Sequence, residues 1–414
     1  MSDYIILCEK HILKPSHIYF DTFKYACHFS KNLYNHVLYN WRQAYFKGNI
    51  LSYKELEKLE REKYPFDYRN MPTAQSAQQT IKRLYESIKS FLTKDKKYKK
   101  NPNVYKGKPR LPHYKNKDGF YTLIFTNQNC KLEENIIYFP TVFNDFTLKT
   151  NCINDKNFIS FQQVQVKYMN NKIYLNVLYR AKKNDRKLNS KRYCGIDLGV
   201  ENFAALAFND NIKPLLLKGT YIKSINRYFN KEIGYYQSLL AKCNNKYTSK
   251  RIKRLWKKRK GILEDYFHKI SRMIVNYCIK HKVGNIVIGK NKNWKSKKKY
   301  MQNFKFIPYT RFIEILSYKA EKEGIEVHLI NERYTFGTSF LDNELPMKKF
   351  YDKKRRKFRG LFISSKGKII NADINAAYQM IKRKANDIYF PKYNWDRICN
   401  HMIIIKNPMY KSML

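Results

Sequence analysis

The chain has 414 residues, with 83 Lys and Arg against 33 Asp and Glu and a formal net charge of +50. That length supports two or three domains with substantial cores. No stretch approaches the ~18 apolar residues of a membrane span, and the eight cysteines (8, 27, 130, 152, 194, 243, 278 and 399) include no C-x-x-C pair, which argues against a zinc ribbon or a disulfide framework. The opening residues lack the apolar core of a secretory signal, so a cytoplasmic protein is expected. AT-rich codon usage inflates Lys, Asn, Ile and Tyr, but it inflates Glu as well, and acids are scarce here. Nucleic acid is therefore the expected partner.

In chain order, Tyr4-Ile-Ile-Leu-Cys8 predicts a short strand. Phe23, Cys27, Leu33, Val37, Trp41 and Ala44 recur every three to four residues, as on one face of an amphipathic helix that Gly48 stops. A second helix is expected from about Thr73 to Leu92, with Ile81, Leu84, Tyr85, Ile88 and Phe91 on its apolar face. Residues 94–117 are basic and broken by Pro102, Pro109 and Pro112, a pattern that predicts a loop or linker. Strand patterns follow from about 120 to 182. Val164, Val166 and Tyr168 alternate with polar residues up to Asn170-Asn171, and Ile173–Tyr179 follows, which predicts a hairpin whose turn tolerates positive φ. The polar run 182–191 is the expected linker.

The second half predicts strands at Tyr193–Val200, Phe203–Phe208 and Pro214–Gly219, then a long amphipathic helix carrying Ile252 through Tyr277. A buried strand at Gly284–Gly289, a helix from Pro308 to Glu323 closed by Gly324, and a strand through Ile325, Val327 and Leu329 come next. After a basic stretch, Ile369–Lys382 is expected as one helix. Three strands, a helical crossover, then two strands around a helix is the RNase H-like order. The expected fold class is a multidomain α+β / α/β chain.

Two short segments carry the chemistry. Cys194-Gly-Ile-Asp-Leu-Gly-Val200 places one acid, Asp197, in an otherwise apolar strand, and Asn371-Ala-Asp-Ile-Asn-Ala-Ala377 places Asp373 on a helix kept slim by alanines. A buried carboxylate is costly unless something positive neutralises it, so the pair suggests a shared divalent metal. A further acid is expected at the end of the fourth strand, where Gly289 stands instead; the fifth strand ends in Glu332, within reach because neighbouring strands lie ~4.8 Å apart. Asp197, Glu332 and Asp373 are thus the expected catalytic and metal-binding set, for Mg²⁺ or Mn²⁺ and two-metal phosphodiester hydrolysis. Each also has a structural reading: backbone amides satisfying Asp197, the helix dipole favouring Asp373, an ordinary strand end for Glu332. Glu201, Glu314 and Asp342 are weaker ligand candidates, and the nine histidines are isolated.

Four basic runs, 94–100, 250–260, 295–299 and 348–359, are interleaved with aromatics. Cations contact phosphates while aromatic faces stack on unpaired bases. The expected nucleic-acid-binding residues are Lys97, Lys99, Lys108, Arg110, Arg251, Arg254, Trp256, Lys257, Lys258, Lys290, Lys292, Trp294, Arg355 and Arg356.

Gly195-Ile-Asp-Leu-Gly-Val-Glu-Asn-Phe-Ala204, Ile286-Val-Ile-Gly-Lys-Asn-Lys-Asn-Trp294, Glu332-Arg-Tyr-Thr335, Gly337-Thr-Ser-Phe-Leu-Asp342, Arg359-Gly-Leu-Phe362 and Asn371-Ala-Asp-Ile-Asn375 resemble the TnpB family, the OrfB-type proteins of bacterial insertion sequences. Ser30–Asn35 and Gly107–Tyr114 resemble it in the first half. The resemblance implies an RNA-guided DNA endonuclease related to compact type V CRISPR effectors, with a guide RNA and double-stranded target DNA as partners. It implies a wedge β-barrel (1–14 and 105–182) with an inserted helical recognition domain (15–104), a linker at 183–192, a RuvC-type nuclease domain at 193–385 with a degenerate insert at about 336–368, and a tail at 386–414. The chain departs from the family at Gly289, where the usual second-motif Glu is absent, and in lacking the cysteine pairs of the insert, so no zinc is expected. The departure at Gly289 keeps two alternatives open: a nuclease-inactive RNA-guided repressor, or a guide-independent resolvase or transposase.

Overall fold

The structure, a computed structural model, describes residues 3–105, 107–244, 247–290, 307–358, 360–384 and 388–406. It divides into two compact units, Met1–Lys182 and Lys183–Leu414.

In the first unit β1 (Tyr4–Leu13) pairs antiparallel with β7 (Ile173–Lys182) along its whole length. It runs past Cys8 because it is an edge strand, where Glu9, Lys10 and His11 remain solvated. Helices α1 (Phe20–Phe46), α2 (Tyr53–Glu62), α3 (Pro65–Arg69) and α4 (Ala74–Lys100) follow. Gly48 has φ +83°, the left-handed conformation that stops α1. α4 corrects the expected loop after Leu92: the lysines through Lys100 are good helix formers, Lys99 pairs with Asp95 at 3.0 Å one turn back, and cations suit a helix C-terminus. Next come β2 (Leu123–Thr126), a small antiparallel sheet of β3 (Lys131–Glu133), β4 (Ile136–Tyr138) and β5 (Thr147–Lys149), and then β6 (Phe158–Tyr168). The larger sheet has the order β1-β7-β6-β2. The β6–β7 turn places Asn170 and Asn171 at φ 53° and 55°, as the hairpin reading requires. Trp41, Leu84 and Ile88 of the helices, Val164 and Val177 of the sheet, and Phe143 share one core.

The second unit is built on a six-stranded sheet of order β12-β11-β8-β9-β10-β15. Its members are β8 (Asn189–Leu198), β9 (Asn202–Phe208), β10 (Leu215–Lys218), β11 (Val283–Gly289), β12 (Glu326–Ile330) and β15 (Ile403–Ile405). β8, β9 and β10 run antiparallel to their neighbours in turn, while β11 and β12 run parallel to β8. Helices α5 (Thr220–Asn244) and α6 (Lys250–Lys280) connect β10 to β11, and α7 (Tyr309–Lys322) precedes β12. The hairpin β13 (Leu361–Ile363) and β14 (Ile369–Asn371) leads into α8 (Ala372–Lys384), followed by α9 (Trp395–Asn400).

Both faces of the sheet are covered. In β9, Ala204, Leu206 and Phe208 belong to the core under α6 and α7, while Ala205 and Ala207 belong to the core under α8, the period-two alternation of a strand buried on both sides. Three expectations are corrected. Ile369–Asn371 is a strand, and the helix starts at Ala372 because Asn371 caps it through Oδ1. The linker is shorter, since β8 begins at Asn189. Residues 395–405 are no loose tail: β15 adds to the sheet beside β10, and Cys399 is fully buried.

Candidate active site and basic surfaces

The site lies at the edge where the parallel strands β8, β11 and β12 end. Ile196 pairs with Ile288 and Gly289 with Ile330, so Asp197, Gly289 and the turn after Ile330 reach that edge together. Ile196 and Leu198 point into the α6–α7 core, which turns Asp197 to the α8 face. On that face a Cβ at Gly195 would lie 2.0 Å from the Ala377 carbonyl oxygen, so α8 rests directly on the strand. Two residues up the strand is ~6.6 Å and four residues back along the helix is ~6 Å. The helix–strand contact at Gly195 and Ala377 therefore carries Asp197 toward Asp373.

Asp373 stands in the first turn of α8, where the helix dipole favours a carboxylate. Its Oδ2 accepts a 2.7 Å hydrogen bond from Asn202 Nδ2, and its Oδ1 accepts one of 3.0 Å from Arg356 Nη2. Asn202 is 6% exposed at the start of β9, and its Oδ1 is buried without a hydrogen-bond partner. Asn202 carries no sequence signal beyond a strand start and went unrecognised; only the fold shows that it faces Asp373.

Glu332 is buried in the turn after β12, where Thr335 donates its N–H and its hydroxyl to the Glu332 carbonyl. A Cβ at position 289 would lie 2.5 Å from Glu332 Cγ and 2.7 Å from its Oε1. The Glu332 side chain thus occupies the space from which a side chain at 289 would grow. The glycine and the displaced glutamate are two halves of one arrangement.

Burial, then the neighbouring carboxylates of Asp373 and Glu332, push the Asp197 carboxyl well above its usual range, against the opposing pull of Arg356. The hydroxyl of buried Tyr309 is raised too, by burial and then by Asp197, while it donates 2.7 Å to the Gly199 carbonyl. Asp197 therefore feels the charge of both other acids.

Among the described residues, no group of three or more His, Cys, Asp or Glu side chains is gathered as a metal-holding cluster. The donor chemistry nevertheless fits a hard divalent cation: three carboxylates, and an orphaned amide oxygen of Asn202 beside them. Arg356 places a positive charge beside these acids, pairing with Asp373 at 3.0 Å. Glu314 is on the exposed side of α7, paired with Arg311, and Glu201 pairs with Lys223 at 2.7 Å. Asp342 accepts from the Ser365 amide and serves the local turn.

The basic residues divide. Lys97 and Lys99 are exposed on α4, Lys99 already in its pair with Asp95, and Lys108 and Arg110 are exposed beyond it. Arg251, Arg254, Trp256, Lys257 and Lys258 are exposed on α6, and Lys290 follows Gly289 at the acid edge. Lys292 and Trp294 lie outside the described residues. Arg355 is held locally: its Nη1 donates to both Glu344 oxygens at 2.7 and 2.8 Å. Arg356 faces the acids.

Residues 175–295 match the family model OrfB_IS605, described as a probable transposase, and residues 309–380 match the Cas12f1-like TNB domain. The TnpB-like protein ORF457 of Acidianus two-tailed virus is 26% identical over 205 residues, 48% of this chain and 43% of that relative, so the likeness spans less than half of the curated protein. The solved structure of a Cas12f1–sgRNA–target DNA complex shares the fold at a TM-score of 0.54 and 18% identity, covering 89% of this chain and 82% of that one. No described helix is long and apolar enough to cross a membrane. The two matched segments, the TnpB-like viral relative and the mixed α/β fold shared with Cas12f1 support a TnpB-type protein.

Proposed function

We propose that the chain is an RNA-guided, Mg²⁺-dependent DNA endonuclease of the TnpB type. The observation that carries this reading is a buried Asp197 that feels the charges of both Asp373 and Glu332, with the Glu332 side chain filling the space over Gly289. The sheet order supports an RNase H-like, RuvC-type domain across the second unit, and the first unit's sheet with α1–α4 between β1 and β2 supports a wedge with a helical recognition insertion. The solved complex of the same fold contains a guide RNA and target DNA, which supports those partners here. A chain of +50 charge suits a backbone-reading channel in which base pairing selects the target.

In this reading Asp197, Glu332 and Asp373 would hold Mg²⁺ or Mn²⁺, which when bound supplies water activation and stabilisation of the leaving oxygen. Asn202 orients the Asp373 carboxylate through its amide. Burial of Asp197 and Glu332 excludes bulk water and strengthens every charge interaction at the edge. Arg356 pairs with Asp373, and a bound cation would compete with it for that carboxylate and leave the guanidinium able to face a phosphate.

The test is cleavage of guide-matched duplex DNA by the purified ribonucleoprotein. D197A and E332A should abolish cleavage and leave DNA binding intact; unchanged cleavage in E332A refutes the role of the displaced glutamate. Sequencing of RNA that co-purifies should show one discrete species, and its absence sinks the guided reading. Robust cutting by RNA-free protein would point to a resolvase or transposase. The Arg356–Asp373 pair favours a second reading, an RNA-guided repressor without catalysis, for which target protection without cleavage in Mg²⁺ or Mn²⁺ is the expected result.

A further inference from the structure

Helices α5 and α6 pack together around a small core of their own, Phe229, Ile233 and Ile252, distinct from the core beneath the sheet. The first eleven residues of α6, Lys250–Lys260, contain eight Lys or Arg and no acid. Within this run Arg259 is unusual. It is 3% exposed, and amide oxygens hold it: Nε and Nη2 donate to Asn226 Oδ1 at 3.0 and 2.6 Å, and Nη1 to Asn230 Oδ1 at 3.2 Å. Those partners fix the guanidinium without cancelling its charge. One turn earlier Trp256 lies with its ring centroid 5.2 Å from the Arg259 Cζ, and 42% of the residue is open to solvent. The indole is therefore backed by a rigid cation, bordered by exposed lysines, and partly open to solvent.

Its place in the fold is informative. Phe203, next to Asn202 of the acid site, packs against Tyr266 and Phe267 of α6 at 5.3 and 5.9 Å. Trp256 precedes Tyr266 by ten residues, ~15 Å along the helix. α6 runs on from there to β11, which starts at the opposite edge of the sheet, where Val283 pairs with Asn189. The Trp256 segment consequently projects past the carboxylate edge.

We propose that Trp256, backed by Arg259, is a stacking platform for an unpaired base of the DNA strand that passes the carboxylate edge. A duplex covers its base faces by stacking, so an open indole among cations fits a single strand: the lysines take phosphates and the ring takes one base. The inference rests on the nucleic-acid reading above, and the experiment separates the two. Fluorescence anisotropy of the full-length chain would compare a dT oligonucleotide, an abasic strand of equal length, a blunt duplex and an rU oligonucleotide. Wild type should prefer dT over the abasic strand by roughly tenfold. W256A should erase that preference, leave duplex binding and the salt dependence unchanged, and W256F should restore most of it. K257A/K258A should instead weaken all ligands and flatten the salt dependence. Equal losses for W256A on dT and abasic strands, or no loss on either, overturn the platform while nucleic-acid binding stands. A loss confined to rU reassigns the platform to RNA and overturns the DNA assignment. If wild type binds none of the four ligands, the nucleic-acid reading falls with it.

Discussion

Replacing Gly289 by alanine perturbs the acid site by a single methyl group. The new Cβ would meet Glu332 Cγ at 2.5 Å, Met380 Cε at 2.6 Å and Glu332 Oε1 at 2.7 Å. Ordinary carbon contacts lie at about 3.5–4.0 Å, so the Glu332 side chain must retreat by about 1 Å. The obstructing atoms all belong to side chains rather than backbone, which places the fold's cost within the ~1–3 kcal/mol of overpacking. In a unit of this size that is a melting shift of a few degrees, at ~2–4 °C per kcal/mol. A catalytic carboxylate moved by ~1 Å costs far more, on the order of 100-fold in rate. Guided cleavage should therefore drop about 100-fold in G289A while the melting temperature moves little. In an E332A background the same substitution should cost no further activity, because the group it displaces is gone. G289A cutting at the wild-type rate would refute both the contact and the role given to Glu332.

Other substitutions probe the surroundings. R356Q removes the guanidinium 3.0 Å from Asp373, so the metal-free protein should melt lower and bind Mn²⁺ more tightly in a paramagnetic resonance titration; unchanged affinity would show that Arg356 and the cation do not compete. G195A sets a Cβ 2.0 Å from the Ala377 carbonyl oxygen, a backbone atom that cannot swing aside, and should cost more than ~3 kcal/mol or abolish soluble expression; a normal melting temperature would disprove the close seat of α8 on β8. Buried Lys319 donates to the His268 carbonyl and Ser271 Oγ, and burial, then Arg272, lowers its pKa to about 8 against 10.5 for a free lysine. Between those values the unfolded chain holds a proton that the folded chain has lost, so this residue's contribution to stability should be flat below pH 8 and rise toward pH 10.5. K319M should remove that rise from melting curves, and an unchanged pH profile would show that the lysine is not desolvated.

The sequence and the structure agree most where one local pattern suffices. Asp197 stands out because a lone acid in an apolar strand is costly, and Asp373 because an alanine-flanked acid after Asn371 marks a slim, capped helix start. The β6–β7 hairpin is legible for the same reason, since Asn170-Asn171 suits the positive φ its turn requires. The α2 helix was legible and missed: Ser52-Tyr-Lys-Glu55 is a capping box, and both of its reciprocal hydrogen bonds form. The end of α4 misled because a lysine run reads as loop until Asp95 is seen paired with Lys99.

Other parts depend on contacts far apart in the chain. No local rule could tell Arg355 from Arg356, since one meets Glu344 and the other Asp373 only after the hairpin folds back. Asn202 gains its role from α8, 171 residues away in sequence. By itself the sequence determines the alternation of strands and helices, the basic character and the acids worth testing, because propensity, period and charge act over a few residues. Only the tertiary structure decides that Glu332 lies over Gly289, because that depends on strand register and on the missing side chain, and neither is a property of either residue alone.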